Sequence, residues 1–358
     1  MECLKNPVEC SNTPLSQLSQ LFHNMQTLCF GEIMLRLSPP GAQRFVQAQQ
    51  FEAVFGGSEA NVAVSLAQFG LPAAYLTRVP DNELGQAALD AVARFGVKTE
   101  LSVRGGERLG LYFLEQGIGR RASKIIYDRA GSGMATLAPG MIDWQSALEH
   151  TSWLHWSGIT PALSQSAADA LLEGLKMARQ RGIRISCDLN YRANLWKYGK
   201  IPADVMPPLV ALTDVLLGDE TAFEICLGVK ASDQMNPEIL LATVKAAFQQ
   251  LEYLAMTQRE GFSASHNSYR GLLFDGQQVF FSQKYDLPNI LDRIGTGDAF
   301  MAGLIVGLQK NEADLQETVE FATAAAALKH YVAGDFNLCS EAEVRALMAG
   351  ESGGRIRR

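Results

Sequence analysis

The chain has 358 residues, 47% of them hydrophobic and 19% charged, with a formal net charge of -7 at pH 7. That balance excludes a disordered polyelectrolyte and leaves enough apolar material for a large core. It also argues against a nucleic-acid partner, because phosphate backbones are met by basic stripes, and the basic runs here are short, Arg120-Arg121 and the tail Arg355 to Arg358.

Residues 1–25 read as a disordered polar extension and do not resemble a secretory signal, lacking its basic flank and apolar block. No run of about 18 apolar residues occurs, so no membrane span is expected. None of the six cysteines forms a Cys-x-x-Cys pair, and Cys29, Cys187 and Cys226 fall inside apolar runs. They read as reduced core thiols, which places the protein in the cytoplasm.

From residue 26 to about 350 the pattern alternates short β-rich runs with amphipathic or small-residue helices, the signature of βαβ units. The expected fold class is α/β, a doubly wound, mostly parallel sheet flanked by helices. Strands are expected at Thr27–Gly31, Ala74–Val79, Trp153–Ser157, Ile183–Asp188, Val215–Leu217 and Tyr253–Thr257. Helices are expected at Ser58–Phe69, with Ser58 as N-cap and Gly70 as stop, and at Glu83–Phe95, Gln165–Arg181 and Asp219–Leu227. Segments near 35–55 and 103–130 break the alternation. The runs Gly110 to Leu114 and Lys124 to Tyr127 flank a Gly117-Ile118-Gly119 turn and predict a separate small β-sheet. Such a sheet suits a lid over a ligand, an ornament or a dimer edge. Residues 351–358 read as a flexible basic tail. Gly117 to Ala122 fits a loose dinucleotide pattern, but a β-like run follows it instead of a helix, so no NAD site is expected; no Walker-A pattern occurs either.

The most informative stretch is Ile294-Gly295-Thr296-Gly297-Asp298-Ala299-Phe300. Glycines at a helix start let bare amides converge on a phosphoryl group, and an adjacent Asp can take the proton of an attacking hydroxyl. Phosphoryl transfer is the leading reaction class. The alternative is a plain loop whose Asp298 caps the helix running to about Gln309.

Together with Phe55-Gly56-Gly57-Ser58-Glu59-Ala60-Asn61-Val62-Ala63, the Gly295-Thr296-Gly297-Asp298 motif resembles the ribokinase-like (PfkB) carbohydrate kinases. Gly31 to Pro40, Gly158 to Pro161, Asp188 to Arg192 and Asp292 to Ile294 are similar to the 2-keto-3-deoxygluconate kinase branch. The resemblance implies Asp298 as general base and the Gly295, Thr296 and Gly297 amides as anion hole. It implies ATP and Mg²⁺, with a monovalent cation as a further candidate, and phosphorylation of 2-keto-3-deoxygluconate to its 6-phosphate. Other acceptors left open are fructose and 2-keto-3-deoxygalactonate, and a silent nucleotide- or sugar-binding protein is the alternative outside the kinases.

For the acceptor, Tyr112 and Tyr127 on the lid, with Arg129 and Arg192, would meet a sugar acid, since a guanidinium fits a carboxylate. The alternatives are lid-core tyrosines and a salt-bridged Arg192. Gly56 and Gly57 would give the sugar a bare backbone to lie on, or make a tight turn with positive φ; Asn61 would hold a sugar hydroxyl or satisfy itself within its helix. For the nucleotide, the candidates are Asp219, Thr257, Arg259 and Gly261 after a strand, a small-residue surface beginning at Ala324 to Lys329, and Gly334 with Asp335 and Phe336 as a wall. The family commonly shows Asn-x-x-Glu where this chain has Asp219-Glu220-Thr221-Ala222, so Glu220 is the metal candidate and Asp219 equally a helix cap. An exposed lid sheet would allow a homo-oligomer, a dimer formed through it.

Overall fold

Apolar runs between glycine and proline breaks fold as strands, and small-residue runs between them as helices, in a computed structural model that describes residues 25–230 and 236–351. The expected extension over residues 1–24 and the tail from 352 onward lie outside the described residues. In the main sheet, Gln26–Phe30 pairs in parallel with Ala73–Leu76 on one side and Thr151–Ser157 on the other. The parallel order continues through Arg184–Asp188, Val215–Leu217 and Tyr253–Ser263. His266–Phe274, Val279–Phe281 and Tyr285–Pro288 then extend the edge in antiparallel fashion. Winding reverses beside Gln26–Phe30, and open α/β sheets bind ligands at that kind of switch, beyond the strands' carboxyl ends.

One face of the sheet is covered by Ser58–Gln68, Glu83–Ala93, Thr296–Lys310 and Leu315–Lys329, the other by Gln165–Gln180, Pro202–Val210, Glu220–Leu227 and Pro237–Ala247. Small residues let the Thr296 and Leu315 helices lie close: a Cβ on Gly303 would come within 2.5 Å of Ala322. The separate sheet runs Glu52–Gly56, Met34–Ser38, Gly110–Glu115, Lys124–Asp128, within the two segments expected to build it.

The structure corrects several boundaries. The run expected as one strand over Ala74–Val79 is two, Ala73–Leu76 and Arg78–Val79, because the chain changes partner and the second piece pairs with Val103–Arg104. Thr257 to Gly261 does not follow a strand but continues it: Thr257 lies opposite Gly271, Arg259 opposite Tyr269 and Gly261 opposite Asn267. Ala324 to Lys329 ends a helix that begins at Leu315 instead of opening one. Ser58 is not the N-cap of its helix; Gly57 is, and the Ser58 hydroxyl is used elsewhere.

Candidate active site

The turn before the Thr296 helix requires glycine at position 295, where φ is 82° and a Cβ would lie 2.1 Å from the Asp335 carbonyl oxygen. The helix's first backbone bond runs from Ala299 N–H to Gly295 O, at 2.9 Å. The N–H groups of Gly295, Thr296, Gly297 and Asp298 therefore have no acceptor among the described residues. At Gly297 nothing lies within 4 Å of where a Cβ would stand. Free amides at the positive end of a helix dipole thus lie beside open space at Gly297, an arrangement that can bind a phosphoryl group.

Asp298 does not cap this helix. Its carboxylate is buried and accepts hydrogen bonds from Ser58 Oγ and Asn61 Nδ2, both at 2.7 Å. Asn61 Oδ1 accepts in turn from the Gly57 N–H at 3.3 Å, and Ser58 Oγ accepts from Asn190 Nδ2 at 2.9 Å. Burial pushes Asp298 up to about 6, against the opposing pull of Asn61, Ser58 and the Arg192 charge. Beside it Asp188 is pushed up to about 7, by burial first and then by Asp298, although the Asn190 N–H donates to it at 2.9 Å. Glu59, wholly buried beneath, is also raised to about 7 by burial; one oxygen accepts from Ser157 Oγ at 2.6 Å and the other has no partner.

Around this corner the candidate acceptor residues divide. Arg192 is exposed and forms no salt bridge among the described residues; its one hydrogen bond goes to the Tyr191 carbonyl oxygen at 3.1 Å. Arg129 is buried and its Nε and Nη2 both bind Glu32, with Nε at 2.7 Å. Tyr112 is buried with its hydroxyl on Asp335, while Tyr127 is half-buried, its ring 6.0 Å from that of Tyr112. Neither Gly56 nor Gly57 lies in the left-handed region, Gly57 being extended at φ 177°. They are needed for close packing, since a Cβ would come 2.0 Å from Asp335 Oδ2 at Gly56 and 2.0 Å from the Glu32 carbonyl oxygen at Gly57.

Under the same turn Arg36 Nη1 bridges Asp292 at 2.7 Å and Asp335 at 3.0 Å, with all three side chains buried. Gly334, at φ 85°, donates its N–H to Asp292 Oδ2 at 3.2 Å. The buried Lys329 ammonium donates to the carbonyls of Val332 and Gly334, at 3.0 and 2.9 Å, oxygens that a monovalent cation could otherwise use.

Among the candidate nucleotide residues, Thr257 is half-buried and Arg259 exposed; burial, and then the Arg259 charge, lowers the pKa of Arg293. Gly261, Arg293 and the lid turn at Gly119 and Arg120 line a cavity of about 610 Å³. Asp219 caps its helix, its Oδ1 accepting from the Ala222 N–H at 2.8 Å, and Glu220 is exposed beside it. No group of three or more His, Cys, Asp or Glu side chains among the described residues could hold a metal.

Sequence reasoning missed Ser58, Asn190, Asp188, Glu59, Glu32, Arg36, Asp292 and Lys329 as parts of the site. All of these but Lys329 lay inside segments already quoted for the family resemblance, which is the signal that could have found them. Ser58 and Arg36 depend on contacts with residues 240 and 299 positions away, and no local pattern encodes those.

A switch-point sheet, a helix that opens with free amides and a buried carboxylate bonded to another helix fit a ribokinase-like fold. The chain belongs to the pfkB family of carbohydrate kinases, whose profile matches residues 25–338. It is 33% identical over 330 residues to a 2-dehydro-3-deoxygalactonokinase of Haloferax volcanii, covering 92% of this chain and 98% of the relative. The crystal structure of 2-dehydro-3-deoxygluconokinase from Thermotoga maritima superposes with a TM-score of 0.86 at 41% identity, covering 91% of this chain and 98% of that one. Fructokinase with bound ATP from Xylella fastidiosa shares the fold, with a TM-score of 0.74 at 22% identity over 91% and 99% of the two chains. Among the described residues no helix is long and apolar enough to cross a membrane.

Proposed function

We propose that this carbohydrate kinase transfers the γ-phosphoryl group of ATP to the terminal hydroxyl of a 2-keto-3-deoxy sugar acid, 2-keto-3-deoxygluconate giving its 6-phosphate. The observation that carries the reading is the pairing of Asp298, held by Ser58 and Asn61, with the unfilled amides of Gly295, Thr296 and Gly297. The acceptor hydroxyl gives its proton to Asp298 as its oxygen bonds to the γ-phosphorus; the bond to the β-γ bridging oxygen breaks and ADP leaves. The amides bind the charge on the phosphoryl oxygens during transfer.

Arg192, exposed and without an ion pair among the described residues, takes the substrate carboxylate. Arg129, engaged by Glu32, shapes the pocket wall behind Tyr127, its guanidinium 5.7 Å from that ring. Gly56 and Gly57 bring bare backbone to the sugar. Arg259 and Arg293, the second lowered by burial and then by the Arg259 charge, suit the nucleotide phosphates, with Thr257, Gly261 and Gly334 alongside. Mg²⁺ carried by the nucleotide would neutralise its phosphates, and the exposed Glu220 fits a water-mediated contact, since hard cations that keep their waters need few protein ligands. The buried free thiols of Cys29, Cys187, Cys226 and Cys339 support a cytoplasmic setting. The exposed Ile125 and Ile126 on the lid's edge strand support pairing of two copies there, which sedimentation would test.

The galactonate epimer is the second acceptor to try, because a relative at 33% identity carries that name. The test is an ADP-release assay over gluconate- and galactonate-derived keto acids and fructose, with Asp298→Asn in parallel. Turnover is expected with a keto acid and lost in the variant. Preference for fructose, or no ADP release with any sugar, would overturn the reading.

A further inference from the structure

We propose that Ser58 is a positioning residue for Asp298, its hydroxyl oriented by Asn190 so that one carboxylate oxygen of the base is held fixed while the acceptor hydroxyl approaches. The inference rests on the reading of Asp298 as general base given above. A serine at a helix start ordinarily caps that helix. Here Gly57 takes the capping position with no side-chain bond, and the Ser58 hydroxyl instead crosses to another helix. Its single proton lies toward Asp298 Oδ1 at 2.7 Å, because Asn190 Nδ2 donates to the Ser58 oxygen at 2.9 Å.

Asn190 is itself constrained. It stands at φ 39°, past the end of the Arg184–Asp188 strand, with its N–H on Asp188 Oδ1 at 2.9 Å. The relay therefore joins the carboxyl end of a sheet strand to the start of the Ser58 helix and to the base on the Thr296 helix. Asn61 holds the other oxygen, Oδ2, at 2.7 Å. Rotating the Asp298 carboxylate breaks both bonds at once. Ser58 also donates to the ionised form of Asp298 in a buried place, so removing it favours the protonated form, which cannot act as base.

The test compares kcat from pH 5 to 9 for wild type, Ser58→Ala, Ser58→Thr and Asn190→Ala with 2-keto-3-deoxygluconate and ATP. In Ser58→Ala the acidic limb should move up by about one pH unit. Turnover then falls about fivefold at pH 6 and hardly at pH 8, with KM for ATP unchanged. Asn190→Ala should shift the limb in the same direction, and Ser58→Thr should restore it. Infrared titration of the Asp298 carboxylate, by difference against Asp298→Asn, should show the same upward shift in Ser58→Ala without any turnover. It separates this inference from the kinase reading: a wild type inactive on every sugar, with the infrared shift present, would sink the reaction and leave the contact. Equal losses at every pH in Ser58→Ala and Ser58→Thr, or an unshifted carboxylate band, would overturn the proposal.

Discussion

Two buried acidic corners flank the turn at Ile294 to Asp298, and they are built on opposite principles. In one, Asp292 and Asp335 share the Arg36 guanidinium, Asp335 also accepts from Tyr112, and Asp292 takes the Ile294 N–H at 3.0 Å. In the other, Asp298 is held by the neutral donors Ser58 and Asn61, and Asp188 by a backbone N–H, with no ion pair on either. A carboxylate that shares a buried cation has its burial opposed by that charge, as Asp335 has by Arg36 although burial still raises it, and is tied into the scaffold. One held by neutral donors stays near the point of taking a proton, which is the property a general base needs. The contrast teaches that burial alone does not mark chemistry; the kind of partner does.

The largest break of this comparison is Asp298→Asn. If Asp298 is the general base proposed above, its loss should lower kcat by about 10² or more, with the fold intact by circular dichroism. The same variant tests the electrostatic half of the contrast. Burial raises Asp298 from 3.8 to about 6, so its favourable contribution to folding is fully present below pH 3.8 and is lost as pH rises through about 6. The variant's melting temperature relative to wild type should therefore rise between pH 5 and pH 8, by about 2 °C or more. A flat difference across that range would show that Asp298 carries no strain of charge.

The scaffold corner should fail in the reverse way. Arg36→Ala leaves Asp292 and Asp335 buried without their cation, and removing one partner of a buried ion pair costs about 3–5 kcal/mol. The urea midpoint should drop accordingly, while whatever protein stays folded keeps its KM for the acceptor. A small change in midpoint with a large change in KM would place Arg36 in binding instead.

Arg192→Ala sharpens the comparison at the surface. This guanidinium is exposed and, among the described residues, bonded only to the Tyr191 carbonyl, so its loss should move stability by no more than about 0.5 kcal/mol. KM for the sugar acid should rise at least about tenfold, the effect of about 1.4 kcal/mol of lost binding, with the KM for ATP nearly unchanged. Equal losses for both substrates would make Arg192 a structural residue.

Most of the parallel sheet was legible in the sequence, because its strands are continuous apolar runs bounded by glycine and separated by amphipathic helices. The antiparallel extension from His266 to Pro288 was not, since polar runs such as Gln258-Arg259-Glu260 are strand only through their hairpin partner Ser268 to Arg270. At the site, Asp298 and its glycines were legible because backbone approach and helix start are local properties. Arg129 read as a free carboxylate binder, and nothing near it in the chain announces Glu32, 97 residues away. Ser58 read as a cap for the same reason: local chemistry favoured capping, and a contact across the fold outweighed it.

The finest distinction lies within the motif itself, between its two glycines. Gly295 is held at φ 82° with the Asp335 carbonyl where a Cβ would go, so Gly295→Ala should strain the turn and lower stability. Gly297 lies inside the helix with open space before it, so Gly297→Ala meets no protein atom and should gain the ordinary helix advantage of alanine, about 0.5–1 kcal/mol. Yet that methyl would stand in the open space beside the free amides. If a phosphoryl group occupies it, Gly297→Ala should be at least as heat-stable as wild type and turn over several-fold more slowly. A stabilised variant with full activity would mean that the cradle opens onto solvent and not onto substrate, because a ligand held by those amides cannot share its place with a side chain.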